Sequence, residues 1–489
     1  MITSMKKIPV TRDSHPFITA VDSCELKKYG YIEEEYFQSG TANIYDENED
    51  GSLKVTYRNA PYTTRLLVRR PKKAEKFSGN VVIEILNASA NFDIDRDWML
   101  LWRKIVRDGD IYIGITSKGH VVDALKRFDE KRYAPINWAN PTPVREGPAG
   151  PTFDFIKEYE MGLFWDMIVD LAKELRKDRS DLNPLKGLGK NWLFLAGWSQ
   201  SGSYLARIVH SFACLPKNRR NGPLFDGYFN SGSGATDKAL NSYKAGQRMM
   251  MGRPSLPEGA SFIASPEPFM AVNTESENRR VFWHGDFDEP GCKFRTWQIP
   301  CSSHDTKYTL IDYYKPQLAD MEKAGTVCFW EGVPENGVPM DTPYEPIFAA
   351  AFKALIDWAR YGIPAPHAPK IKTAVTYEPT DMTGSLIANR KDIFGNALGG
   401  IRYPFADCPT GTCQSYTVHE DGKSLQMMFG TVKPFSPELI NAIYQNEENY
   451  RRLAAESTDA AIARGFILPE DREYMIESCV RIARERGLR

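Results

Sequence analysis

Apolar positions along this chain follow two rhythms. Short continuous apolar runs, at residues 80–86, 111–115 and 192–196, read as strands buried on both faces. Between them lie stretches with helical spacing. Met161, Phe164, Ile168, Leu171 and Leu175 share one face of a segment spanning about 155–176, and Leu205, Ile208, Val209 and Phe212 share one face of another. Further strands are expected at 53–57, 64–68, 225–229, 280–283 and 294–299, and a helix at 344–360. Strands alternating with amphipathic helices predict an α/β fold with a mostly parallel central sheet flanked by helices.

Two segments interrupt the rhythm. Residues 129–154 contain five prolines and Trp138, and residues 234–279 contain Met249-Met250-Met251 among glycines and prolines. Both leave the carboxyl ends of strands, where α/β sheets place their ligand sites, so they are expected to form a cap. The pattern changes again after residue 365. Ser436-Pro437 reads as an N-cap followed by proline at the first helical position, and Met475, Cys479 and Ile482 stripe a last helix. The expected organisation is one domain over 1–489, with a core at about 50–365 and a carboxyl-terminal helical layer at 366–489.

Composition excludes more than it indicates. The 62 basic and 63 acidic residues nearly cancel, which gives no electrostatic case for nucleic acid or an anionic membrane. No apolar stretch approaches the roughly 18 residues of a membrane-crossing helix. The first residues carry Lys6 and Lys7 with no apolar run behind them, so no signal peptide is expected and the expected location is cytoplasmic. Eight cysteines are scattered without a C-x-x-C pair, so neither a metal nor an organic cofactor is called for.

The chemistry concentrates at Gly197-Trp198-Ser199-Gln200-Ser201-Gly202, which follows the apolar run at 192–196 and opens the helical pattern at Leu205. A G-x-S-x-small sequence between strand and helix is the context of a nucleophile elbow, a tight turn that lifts the serine above a helix N-terminus. Side chains two positions either side of the serine would collide, so Gly197 and Ser201 must be small. Ser201 stands where glycine is usual.

A nucleophilic serine needs a base, and the base needs an orienting carboxylate. Of the seven histidines, His210, His284, His304, His367 and His419 follow Ser199. His304 alone follows a strand that itself follows an acid. His284-Gly285-Asp286-Phe287-Asp288 ends the strand expected at 280–283, and counting three residues beyond Gly285 selects Asp288 as the acid. Asp286 is the alternative, and Glu289 a weaker one. The oxyanion donors are expected to be the backbone N–H of Gln200 and that of Ala88, in the loop after residues 80–86.

These motifs together resemble a mainly bacterial α/β-hydrolase-domain family whose elbow reads G-x-S-Q-S-G. The likeness includes residues 30–36, 39–42 and 60–65 near the start, Val82-Ile83-Glu84-Ile85-Leu86-Asn87, Phe294-Arg295-Thr296-Trp297 ahead of His304, and the late stretch 396–402. The chain departs from the family at Ser89-Ala90-Asn91, where Ser-Gly-Gly is usual. The resemblance implies an α/β-hydrolase fold and an acyl-serine mechanism and brings no particular substrate.

The expectation is therefore a serine esterase acting on a small-molecule ester, with Ser199, Asp288 and His304 as its triad. An acyltransferase using the same residues and a binding protein that keeps the fold without the activity are the alternatives. The sequence says nothing of oligomeric state.

Overall fold

The computed structural model describes residues 1–48, 51–142, 158–233, 240, 265–279, 285–326, 338–375, 387–415 and 429–489. The strand expected at 280–283, His284, His419, and residues 143–154, 234–239 and 241–264 of the two expected cap segments lie outside the described residues.

A ten-stranded sheet runs through the molecule. Its strands are β1 (Ile2–Ile8), β2 (Tyr31–Glu47), β3 (Leu53–Pro71), β4 (Asn80–Ile85), β5 (Ile111–Ile115), β6 (Trp192–Trp198), β7 (Gly227–Ser231), β8 (Phe269–Thr274), β9 (Phe287–Glu289) and β10 (Cys292–Ile299). Their spatial order is β1-β2-β3-β5-β4-β6-β7-β8-β10-β9. The stretch from β5 to β10 is parallel throughout. β1, β2 and β3 pair antiparallel on one side, and β9 folds back antiparallel on β10 at the other. Every residue of β4, β5, β7 and β8 is buried, as continuous apolar runs covered on both faces require.

The main helices are α1 (Arg96–Asp108), α2 (Phe164–Leu175), α3 (Gln200–Ile208), α4 (Glu345–Tyr361), α5 (Pro437–Tyr444), α6 (Glu447–Ala463) and α7 (Arg472–Glu485). α4 packs its Phe348, Phe352 and Leu355 face on β7 and β8 and stops at Gly362, whose φ of 69° only glycine adopts cheaply. α5 starts as its sequence predicts: the Ser436 hydroxyl accepts from the Leu439 N–H, and Pro437 stands at the first turn. The last two helices lie against the core. Phe466 meets Trp297 edge-on at 5.0 Å, the Arg103 guanidinium sits 4.2 Å over the Tyr474 ring, and Arg107 pairs with Asp471 at 2.8 Å.

Two features of the sheet differ from the sequence reading. It begins at Ile2 rather than near residue 50, because β1 and β2 mix polar and apolar residues and show no clean run. It also includes β8, whose residues fall inside the segment 234–279 expected to be cap. The second difference changes the reading of the site.

The antiparallel side has its own interior. Arg65 and Arg69, both fully buried on β3, reach Glu35 and Glu33 of β2 on one flank and Asp93 and Asp95 on the other. Burying such charges is tolerable only when each is paired and hydrogen-bonded, and here every guanidinium meets two carboxylates. Asp93 and Asp95 end the loop that links β4 to α1.

Candidate active site

β6 delivers the serine. Ser199 stands at φ 53° and ψ −116° between Trp198, the last residue of β6, and Gln200, the first of α3. That conformation is strained for a residue with a Cβ and is held from both sides. The Ser199 N–H donates to the Ser231 carbonyl of β7 at 3.0 Å, and its carbonyl accepts from the Gly202 N–H at 2.9 Å. The small residues are as necessary as the sequence suggests: a Cβ on Gly197 would lie 2.6 Å from the Ser201 carbonyl oxygen, and one on Gly202 would lie 2.5 Å from Ser233 Cβ.

The histidine comes from the loop after β10. His304 is buried, its backbone N–H donates to Ser276 Oγ at 3.0 Å, and its Nδ1 lies 2.7 Å from Glu277 Oε1. Glu277 follows β8 by three residues and is itself fixed, since its other oxygen accepts from both the N–H and the hydroxyl of Thr274 at 2.7 Å. The loops after β8 and β10 are laced further by Cys301 N–H to Glu275 Oε2 at 2.8 Å and Glu275 N–H to Ser302 Oγ at 3.2 Å. Burial pushes the Glu277 carboxyl up, but its bonds to His304 and Thr274 and the charge of His304 outweigh it and hold the group below the usual glutamate value.

The other ring nitrogen of His304 is also engaged. Nε2 lies 3.2 Å from Nε1 of Trp198, and the two rings are tilted with centroids 4.9 Å apart. An indole N–H only donates and a carboxylate only accepts, so this pairing fixes the tautomer with the proton on Nδ1. Arg96, at the start of α1, lies 5.5 Å over the Trp198 ring and pairs with Asp305 at 2.6 Å. Phe348 of α4 packs on the indole at 5.8 Å. Trp198 is thus 2% exposed, a support under the histidine rather than a wall of an open pocket.

Asp288 is not at the histidine. It lies on β9 at the edge of the sheet, nearly half exposed, and pairs with Arg295 at 2.6 Å and with His367 at 3.3 Å. Asp286 accepts from the Thr296 N–H at 2.9 Å and pairs with His367 at 2.9 Å and Lys370 at 3.1 Å. Glu289 is exposed on the same strand. The physical reason is topological. The parallel strand next to β10 is β8, and β9 lies on the far side of β10 as a short antiparallel return. The carboxylate that reaches His304 is therefore the one after β8. The signal was present in the sequence as Phe269-Met270-Ala271-Val272-Asn273-Thr274 followed at once by Glu275 and Glu277.

The loop after β4 borders the elbow. Asn87 donates through its side chain to the Trp198 carbonyl at 3.0 Å, accepts from the Ser89 N–H at 2.8 Å, and exchanges backbone bonds with Ile94. The Ala88 carbonyl is occupied, accepting from His120 Nε2 at 2.9 Å and from the Asn91 N–H at 3.0 Å. Among the described residues its N–H meets no acceptor, which leaves a buried donor unspent beside the elbow. Gln200 is the first residue of α3 and directly follows the serine.

Beneath the elbow lies a buried carboxylate pair. Glu84 accepts from the N–H groups of Asp97 and Trp98 at 2.9 and 3.0 Å and from the Tyr112 hydroxyl at 2.7 Å. Asp97 accepts from the hydroxyl of Ser231, whose carbonyl holds the Ser199 N–H. Burial pushes Asp97 up to about 7, and burial with the charge of Asp97 pushes Glu84 well above its ordinary value.

Comparison with known proteins agrees with this architecture. The family described as "Alpha/beta hydrolase domain" matches residues 4–477. No curated protein matches the chain. Among solved structures, that of esterase Est22 is 15% identical, covering 63% of this chain and 84% of its own at a TM-score of 0.32. Brefeldin A esterase, a bacterial homologue of human hormone-sensitive lipase, is 13% identical over 66% of this chain and 88% of its own, with a TM-score of 0.28. An alpha-beta serine hydrolase homologue from Coxiella burnetii is 10% identical over 57% and 93%, with a TM-score of 0.27.

Proposed function

Since the chain belongs to the α/β-hydrolase domain family, we propose that it is a serine hydrolase that cleaves carboxylic esters through an acyl-serine intermediate. The observation that carries this reading is the 2.7 Å contact between Glu277 and His304 Nδ1, on a histidine whose other nitrogen borders the strained elbow of Ser199. A carboxylate, an imidazole of fixed tautomer and a serine at a strand-to-helix turn are the parts an acyl-transfer site requires, and they come in the chain order of nucleophile, acid and base known from such hydrolases.

In this reading Ser199 attacks the ester carbonyl while His304 Nε2 takes its proton, exchanging its hydrogen bond from Trp198 for one from the serine. Glu277 steadies the imidazolium. The N–H groups of Ala88 and Gln200 receive the charge that develops on the carbonyl oxygen. His304 then protonates the departing alkoxide, water enters the acyl-enzyme by the same route, and Ser199 is restored. The elbow reads G-W-S-Q-S-G, and segments 129–154 and 234–279 are proposed as the walls that choose the ester, apart from β8 and residues 275–279 that follow it within the second.

A fluorophosphonate probe tests the reading. Intact mass should show one adduct on the wild-type protein and none on Ser199→Ala, and a panel of p-nitrophenyl esters should be turned over by the first and not by the second. Labelling that persists in Ser199→Ala would remove Ser199 as the nucleophile.

A further inference from the structure

Ser276 lies buried between Glu275 and Glu277 in the loop after β8. Its hydroxyl accepts the backbone N–H of His304 at 3.0 Å and donates to the carbonyl of Ser415. A hydroxyl has one proton and two lone pairs, so the carbonyl that takes the proton also directs the lone pairs. One of them meets the histidine. The next residue, Glu277, holds the ring of the same histidine through Nδ1 at 2.7 Å. Two consecutive residues thus grip His304, one by its main chain and the other by its ring.

Ser415 belongs to the appended carboxyl-terminal region. It directly follows Gly411–Gln414, a strand of a small sheet that also contains Thr431–Pro434 and Val338–Pro339. The same sheet meets the histidine loop a second time. Asp305 bridges to Phe429 in parallel register, and a Cβ built on Gly430 would stand 2.5 Å from Ser303 Cβ. The Gly430 carbonyl accepts from the Met340 N–H at 2.9 Å, and the Met340 carbonyl accepts from the Lys307 N–H at 2.7 Å. Residues on both sides of His304 are therefore fixed to elements outside the ten-stranded sheet.

Resting on the acyl-serine reading, we infer that Ser276 is a positioning residue for His304, and that the carboxyl-terminal sheet sets the direction of its hydroxyl. Two physical considerations carry this. A histidine on a loop is placed only when both its main chain and its ring are held, and a misplacement of about 1 Å can cost on the order of 100-fold in rate. Hydrogen bonds linked in a buried chain also polarise one another, so losing the Ser415–Ser276 link weakens the grip of Ser276 on His304. The inference gives the carboxyl-terminal region a part in turnover. It orients the base by way of one hydroxyl, as well as covering the core.

The test compares Ser276→Ala and Gly430→Ala with the wild type, using the best p-nitrophenyl ester of the panel. The first variant removes the hydroxyl. The second leaves Ser276 intact and pushes the small sheet away from Ser303, since the new methyl would also lie 2.9 Å from the Gln414 carbonyl oxygen. Ser276→Ala should lower kcat per folded molecule by about 10- to 100-fold with KM within about twofold, as misplacement of the base requires. Gly430→Ala should show a loss of the same kind. Proton NMR supplies a readout that a purely structural serine would not move. The His304 Nδ1 proton shared with Glu277 gives a low-field resonance in the wild type, and it should shift or broaden in both variants. A kcat within about threefold of wild type in Ser276→Ala, or a resonance unmoved in that variant, overturns the inference. If Gly430→Ala does not fold, Ser276→Ala decides alone, because it deletes one oxygen and adds no bulk. A wild-type protein that neither turns over any ester nor takes the phosphonate would instead sink the acyl-serine reading on which the inference stands.

Discussion

The indole N–H of Trp198 donates to Nε2 of His304 across 3.2 Å, so the nitrogen proposed to take a proton from Ser199 already accepts one hydrogen bond. A neutral imidazole offers a single lone pair there, and two donors cannot share it at full strength. Trp198→Phe keeps the ring that packs on His304 and Phe348 and removes only the donor. A net hydrogen bond is worth about 1 kcal/mol, or roughly a fivefold change in an equilibrium. The second-order rate of phosphonylation at Ser199 should therefore rise about fivefold in Trp198→Phe, followed by stopped-flow or intact mass. A fall would mean that the N–H holds the ring in place rather than competing for it.

The orienting acid is decided by comparing three amide variants. Glu277→Gln keeps the shape of the side chain and offers the wrong partner to Nδ1, which in the serine-protease template costs on the order of 10⁴ in kcat. Asp288→Asn removes the half-exposed partner of the fully buried Arg295 and should leave kcat within about threefold while costing about 1–3 kcal/mol of stability. Asp286→Asn should behave like Asp288→Asn in kcat. Steady-state kinetics on one ester rank all three, and a collapse of activity in Asp288→Asn alone would reinstate it.

Stability should respond to pH through two buried acids of opposite sign. Asp97 has its folded value raised to about 7 from 3.8, so the native state retains a proton that the unfolded chain has lost across that window, and its contribution falls as pH rises. Glu277 is held below 4.5, so its contribution is present above that value and is lost as pH falls through the folded value. Asp97→Asn cannot ionise, and it should gain stability relative to wild type between pH 5 and pH 8. Urea unfolding midpoints at the two pH values measure this; a constant difference between the proteins would show that Asp97 does not titrate in the fold.

The elbow tolerates no Cβ at Gly197, because the Ser201 carbonyl would be 2.6 Å from it and is backbone that cannot step aside. Gly197→Ala should cost about 1–3 kcal/mol by overpacking, lower the melting temperature, and reduce phosphonate labelling together with turnover. Full labelling in a protein of wild-type stability would mean that the turn has another way to close.

The parallel part of the fold was legible because its strands are buried on both faces and therefore apolar throughout. The run at 111–115 matches β5 residue for residue, and that at 80–86 exceeds β4 by one. β2 and β3 are long antiparallel strands that bury arginines and glutamates against one another, and a hydropathy pattern cannot distinguish paired buried charges from a solvated edge. The elbow and the histidine loop were found from local sequence, and the structure brings Ser199, Trp198 and His304 to one place. Which carboxylate meets His304 depended on knowing which strand lies beside β10, a long-range fact. His-Gly followed by two aspartates supplied a plausible local pattern, while the actual neighbour was hidden inside a segment that its methionines, glycines and prolines had marked as an insertion.

Asp93 and Asp95, held by Arg65 and Arg69 of β3, end the loop that carries Ala88. During synthesis the β2–β3 ribbon leaves the ribosome some twenty residues ahead of those aspartates, and its two arginines have only Glu33 and Glu35 to meet until the loop emerges. The ribbon and the Ala88 loop are thus tied by two buried arginine–aspartate pairs, and without residues 93–95 each of these arginines lacks one of its two carboxylates. An amino-terminal truncation to residue 79 would retain every residue named in the site and lose the anchor that shapes it.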